Sequence, residues 1–205
     1  QFEPHKPLKH QHDGRLRKQG HLGGTMLDVD AIEVLNRFSV EGWRLVRADW
    51  FALLNRGHRL TATGNSDSHT SQLEPVGFPV NLVNVGSRGG VDGVLDGLRE
   101  GRVRVSSGPI VSLMVHGGEQ AFGPSKSLRS LGDAVSAEVE VQAADWVDVP
   151  EVRVVVNGKV MFSEALKPEG PRRWVVPIGL QGDSWVIAEA GWPLDRDDRP
   201  SGTIY

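Results

Sequence analysis

In the stretch TATGNSDSHT, residues 61–70, Asp67 and His69 stand two apart between a glycine and a run of small hydroxyl residues. A carboxylate oxygen beside an imidazole nitrogen is a mixed ligand set that suits Zn, Mn or Fe better than Ca or Mg. Side chains at i and i+2 of an extended segment point to the same side, so a single strand end can offer both groups to one divalent ion. Gly64 lets the backbone turn tightly, and Ser66 and Ser68 are placed to act as hydrogen-bond donors supporting the ligands. The plainer alternative is that Asn65, Ser66, Asp67 and Ser68 simply build Asx- and Ser-type turns. On spacing alone, the turn is the commoner outcome.

Glu33 is the second candidate. It is the charge in the middle of the apolar run DAIEVLN, residues 30–36, and a buried carboxylate costs several kcal/mol, as an order of magnitude, unless it is paired or ligating. Either Glu33 lines the same cleft as a ligand or supporting acceptor, or the strand is half exposed and Glu33 faces water. Other histidines carry less. His10 and His12 have H-x-H spacing, but Lys9, Arg15, Arg17 and Lys18 surround them with positive charge, which works against holding a cation. His58 reads as a surface or capping residue near a helix end, and His116 as structural. Further chemistries have no foothold. The chain lacks the dinucleotide-binding, Walker-type and nucleophile-elbow motifs, and GSRGGVDG, residues 86–93, reads as a flexible connector before a helix rather than an anion site.

The elements that must position these groups divide the chain into three. Residues 1–26 are rich in His, Lys, Gln and Gly without periodicity and read as an irregular loop segment. Residues 27–108 alternate strand-like and helix-like runs. DAIEVLN is a strand, and RADWFALLNRGHR (47–59) a helix capped by Asp49 and stopped at Gly57. LTAT, VNLVNV and RVRVSSGP are further strands, with a Gly-weakened helix over 90–101. That order predicts a mostly parallel α/β sheet or barrel, whose functional residues gather where strands end. Residues 109–205 change to period-two alternation, as in AEVEVQAA, with a hairpin signal at Asn157-Gly158; they predict a small antiparallel β-sandwich.

Bulk properties set the outer bounds. The chain has 205 residues, 39% hydrophobic and 24% charged, enough for one large or two small domains. A net charge of −3 predicts no nucleic-acid partner, and no apolar run approaches membrane-spanning length, so no membrane partner is expected. The absence of cysteine excludes disulfides, thiolate metal sites and cysteine nucleophiles. We expect a soluble protein, with export and cytoplasmic residence both open.

Taken in order, DVDAIEVLNRF, DWFALLNRGHRLTATGNSDSHT and EGRVRVSSGPIVSLMV resemble the PHP (polymerase and histidinol phosphatase) metallohydrolases, and within them the carbaryl-hydrolase-like (CehA/McbA) branch. ADWVDVPEVRVVVNGKV and GDSWVIAEAGWPL resemble the small C-terminal domain of that branch. The resemblance implies a distorted β/α barrel with a two- or three-metal site at its strand ends. It also implies hydrolysis of a phosphoester, carbamate or amide bond in a small-molecule substrate, with Zn or Mn as the metal. It carries Asp67 and His69 over as metal ligands, Glu33 as a supporting residue, and His5, in EPHKP, as a further ligand. The family's opening H-x-H strand lies farther upstream than the 66 residues that precede Asp67 here. We therefore expect the C-terminal portion of such an enzyme, a partial barrel followed by the sandwich, completed by a missing N-terminal half or another chain. Two ligands rarely hold a catalytic ion, for which three protein ligands are usual. A non-catalytic binding or assembly module that keeps the fold is the competing expectation. A third idea, that the β domain binds carbohydrate or a cell-surface partner, rests on Trp174 or Trp192 lying exposed in a groove, although buried Trp is commoner in a sandwich core.

Overall fold

The structure, a computed structural model, describes residues 29–37, 39–70, 72, 76–117, 120–122, 135–167, 170, 172–180 and 182–191. The expectations for segment 1–26, including those for His5, His10 and His12, and for Trp192 lie outside the described residues.

Strand β1 (Ala31–Asn36), helix α1 (Val40–Leu54) and strand β2 (Thr61–Asn65) form one β–α–β unit, and β1 and β2 pair in parallel. Parallel neighbours need a long crossover, which α1 provides. The helix starts earlier than its apolar spacing suggests. Ser39 caps it, its hydroxyl accepting from the Gly42 amide at 3.0 Å, and Glu41 sits in the first turn. Asp49, the expected cap, lies inside the helix. After its end the chain reverses through Gly57, whose φ of +85° suits glycine. The β1–β2 register slips between Glu33 and Leu35, so β1 carries an extra residue there.

Strand β3 (Val80–Val83), helix α2 (Gly90–Arg99) and strand β4 (Val103–Ser106) follow, but β3 and β4 pair antiparallel. The glycines of α2 turn out to be its packing face. A Cβ on Gly97 would lie 2.4 Å from Val83 Cγ1 and one on Gly93 3.0 Å from the Val85 carbonyl, while Val91, Val94 and Leu95 are exposed.

The expected partial β/α barrel is not found. Such a barrel is a run of parallel strands, each followed by a helix. The described residues hold one parallel pair, two helices and eleven strands, and strand accounts for 43% of the structure against 18% for helix. The order of strand and helix runs does not dictate pairing direction. The segments that flank α2 (84–89 and 100–102) match in length those that flank α1 (55–60 and 37–39), yet β3 and β4 close as an antiparallel pair.

The remaining strands are β5 (Ile110–Gly117), β6 (Gln120–Phe122), β7 (Val135–Gln142), β8 (Glu151–Val156), β9 (Lys159–Ala165), β10 (Arg173–Pro177) and β11 (Val186–Gly191). They form two antiparallel sheets, ordered β10-β7-β5-β6 and β11-β8-β9, an arrangement compatible with a small β-sandwich. Alternate residues of β7 and β8 supply the core: Ala137, Val139, Val152 and Val154 are fully buried, joined by Trp174 and Val176. Burying Trp174 there removes it as an exposed binding residue. Asn157 and Gly158, with φ of 49° and 85°, turn β8 into β9.

Helix α1 packs on the outer face of the three-stranded sheet at its β11 side. Arg153 and Val155 point away from the β7 side and are also buried, which explains the near-continuous apolar run in β8. On that face Arg47 of α1 makes a two-pronged ion pair with Glu189 (2.6 and 2.7 Å), and Glu189 also accepts from Arg153 at 3.4 Å. The rings of Phe51 and Trp185 pack tilted at 46°, 4.7 Å between centroids, and Trp185 Nε1 donates to Asn55 Oδ1 at 2.8 Å.

Candidate functional site

In parallel α/β units, chemistry collects beyond the carboxyl ends of the strands. Here the chain leaves β2 at Asn65 and enters residues 66–70, which hold Ser66, Asp67, Ser68 and His69. The backbone ties this exit to β1, the Arg37 amide donating to the Asn65 carbonyl at 3.0 Å.

Asp67 and His69 do come together, though not through an extended strand. Asp67 has a φ of +47°, a left-handed conformation that Asp tolerates better than most residues. The turn curls the imidazole back over its own loop: His69 Nδ1 lies 2.7 Å from the Asp67 carbonyl oxygen and Nε2 lies 3.8 Å from Asp67 Oδ1. A carbonyl oxygen only accepts, so Nδ1 carries the proton, and in the neutral ring Nε2 turns its lone pair toward the carboxylate. Zn–N and Zn–O bonds of about 2.0–2.2 Å put two ligand atoms of one ion roughly 3–4 Å apart. The Nε2–Oδ1 separation fits that requirement. Both side chains are exposed (69% for His69, 46% for Asp67), so a cation reaches them from solvent. The pair satisfies the donor chemistry of a divalent ion but is two ligands; among the described residues no group of three or more His, Cys, Asp or Glu is placed to hold one.

Glu33 lies on β1 beside β2 and is exposed rather than buried. Its carboxylate is nevertheless engaged. Asn65 Nδ2 donates to Oε1 at 2.7 Å and Asn36 Nδ2 to Oε2 at 3.2 Å. It does not join Asp67 and His69 as a third ligand. Ser66 and Ser68 sit half-buried on the same turn as the pair. His116 lies on β5 and bonds Glu138 at 2.9 Å within the four-stranded sheet, away from this edge.

Reading the sequence for titratable groups missed the amides. Asn81, on β3, accepts from the Gly64 amide at 2.9 Å and donates to the Gly64 carbonyl at 2.8 Å and to Asn65 Oδ1 at 3.2 Å. The available signal was composition: Asn is disfavoured in strands, yet Asn36, Asn65 and Asn81 all lie within one.

No family profile, no curated protein and no solved structure matches this chain. The resemblance to the PHP metallohydrolases thus rests on its residues alone.

Proposed function

We propose that the β1–α1–β2 unit contributes one rim of a metal-dependent hydrolase site of the PHP type, acting on a phosphoester, carbamate or amide bond of a small molecule. The observation that carries the reading is the Asp67–His69 pair, with its Nε2–Oδ1 separation of 3.8 Å and its ring fixed by the Asp67 carbonyl. It rests on this local geometry and on no barrel. Asp67 Oδ1 and His69 Nε2 would hold the ion, Zn or Mn, with Glu33 as a fixed acceptor on the neighbouring strand. Further ligands would be needed; the family resemblance offers His5, which lies outside the described residues, and another chain is the other source. When bound, a divalent cation supplies activation of water and polarisation of the scissile group. The protein's own part is to orient the imidazole through Nδ1 and to keep the site open to solvent and substrate.

A non-catalytic binding or assembly module is the second reading. It is favoured by the two amide donors that already occupy the Glu33 carboxylate. Titration of the purified chain with Zn²⁺ and Mn²⁺, followed by metal analysis, separates the two. The hydrolase reading expects bound ion that is lost in Asp67→Ala and in His69→Ala, together with metal-dependent cleavage of an activated ester or phosphoester. No ion bound at saturating Zn²⁺ and Mn²⁺ overturns it in favour of the module.

A further inference from the structure

We propose that the turn carrying Trp146 is a docking point for a cationic side chain, arginine above all, of a basic partner peptide. The turn lies between β7 and β8, and its role does not depend on the hydrolase reading above.

The basis is an indole that the fold presents and does not use. Trp146 is 86% exposed, the most exposed large apolar side chain among the described residues. Tryptophan is highly buried on average, and the other described tryptophans are engaged. Trp50 Nε1 donates to the Leu60 carbonyl and Trp185 Nε1 to Asn55, Trp174 lies in the sandwich core, and Trp43 faces Arg47. The exposure of Trp146 does not come from a loose loop. The Val147 amide donates to the Ala144 carbonyl at 2.9 Å, closing a turn whose central residues are Asp145 and Trp146. Val149 is buried, Val147 packs against the core, and the Leu166 amide donates to the Pro150 carbonyl at 2.8 Å. A ring held out on an anchored turn loses little further freedom on binding.

Charge selects the occupant. Asp145 and Asp148 flank the indole, both are exposed, and neither has an ion-pair or hydrogen-bond partner among the described residues. The face of Trp is the best of the aromatic rings for a cation, and two unpaired carboxylates beside it attract a cation and repel an anionic surface. The molecule holds the same combination in occupied form. Arg47 Cζ lies 4.2 Å from the Phe51 ring centroid and 5.6 Å from that of Trp43, while its guanidinium makes the two-pronged pair with Glu189. There, rings and a carboxylate share one guanidinium. At residues 145–148 the ring and the carboxylates are in place and no described residue supplies the cation. Arginine fits better than lysine, because its planar group stacks on a ring while it bonds a carboxylate.

Titration of the full chain with tetra-arginine amide tests this, followed by nuclear magnetic resonance at the indole Nε1–H of Trp146. That signal is assigned by its loss in Trp146→Phe. It should shift saturably while the signals of Trp50 and Trp174 stay in place, and the binding should weaken as salt rises, because exposed charges are screened. By calorimetry, Trp146→Ala should lower the affinity by about two- to fivefold, the effect of a cation on an exposed ring. Asp145→Asn combined with Asp148→Asn should lower it by about two- to tenfold and remove most of the salt dependence. All three positions are exposed, so these variants keep the fold. No shift of the Trp146 signal at millimolar tetra-arginine overturns the proposal, and so does affinity undiminished in Trp146→Ala. A shift produced equally by cellohexaose or by tetra-glutamate overturns it by removing the charge selection. A shift that grows with protein concentration without any peptide overturns it in favour of a second copy of the chain.

Discussion

The two halves of this molecule are built by different rules. In β7 and β10 alternate residues point into an interior shared with β8, and Val139, Val152 and Val154 are fully buried. From β1 to β4, fully enclosed apolar side chains are few: Val34 and Leu35 form a nucleus with partly buried Ile32, Trp43, Val46 and Trp50 around it. Close contacts there are made through glycines and side-chain amides instead. The residues with chemistry to offer sit in the sparsely packed half, on exposed strand ends. That is consistent with site geometry held by directed hydrogen bonds while stability is supplied elsewhere.

Placing a charge on equivalent-looking valines breaks the comparison most sharply. Val139→Asp would bury an unpartnered carboxylate at a fully enclosed position, a cost of several kcal/mol, roughly the whole stability of a domain of about 5–15 kcal/mol. Cooperative unfolding in urea should be lost. Val91→Asp, on the exposed face of α2 at 76% exposure, should shift stability by no more than about 0.5 kcal/mol. Equal effects would show that the α2 face is covered in solution and that the contrast between the halves is overstated.

Next in size is the junction. Glu189 receives Arg47 from α1 and Arg153 from β8, and the Arg153 side chain is only 4% exposed. Removing the shared acceptor takes the two-pronged carboxylate partner from Arg47, while Arg153 keeps Glu151 at 3.1 Å, so Glu189→Ala should cost about 3 kcal/mol, the lower end for a broken buried pair. Glu189→Gln, which keeps an acceptor oxygen, should cost less. The informative measurement is amide hydrogen exchange across both halves. If the sandwich supports the β–α–β unit through this contact, α1 and β2 lose protection while the interior of β7 keeps it.

How much of this was legible depended on where the signal resided. The period-two runs in β7 and β8 and the Asn157-Gly158 turn state their structure locally, because burial in a sheet face depends on alternation alone. The direction in which β4 pairs with β3 is not local, so strand–helix–strand order suggested a barrel that the structure does not contain. The start of α1 lies upstream of the apolar spacing in residues 47–59 and is marked instead by the Ser39 cap. At the site, the Asp67–His69 spacing was visible but the reason given for it was wrong: a left-handed turn, not an extended strand, brings the two together. Glu33 was visible as an anomaly, whereas the hydrogen bonds of Asn81 and Asn65 were not. Amides do not titrate, and a contact across 17 residues leaves no spacing to read.

Gly64 is where the sparse half depends on close packing after all. An Ala methyl would sit 2.4 Å from Val105 Cγ1, so β4 or β2 must move, at a cost of about 1–3 kcal/mol for overpacking. Gly64→Ala should lower the urea midpoint with little change in slope and should weaken protection of the Asn65 side-chain amide at the same time. A loss of stability without that second change would separate the packing role of the glycine from its hydrogen bonds to Asn81.

The smallest expected effect on the fold is the most telling about the site. Asp67 is half exposed, and its left-handed φ is tolerated by Asn as readily as by Asp. Asp67→Asn should therefore leave the free energy of unfolding within about 0.5 kcal/mol of the unsubstituted chain. The backbone carbonyl that fixes His69 Nδ1 is untouched by the change, so the ring should keep its place. What disappears is the anionic oxygen 3.8 Å from Nε2, and with it the reason for a cation to settle there. Unchanged stability with lost Mn²⁺ binding would mean that the carboxylate serves the site and not the fold. A clear loss of stability would instead assign Asp67 to the turn itself, the plainer of the two sequence expectations.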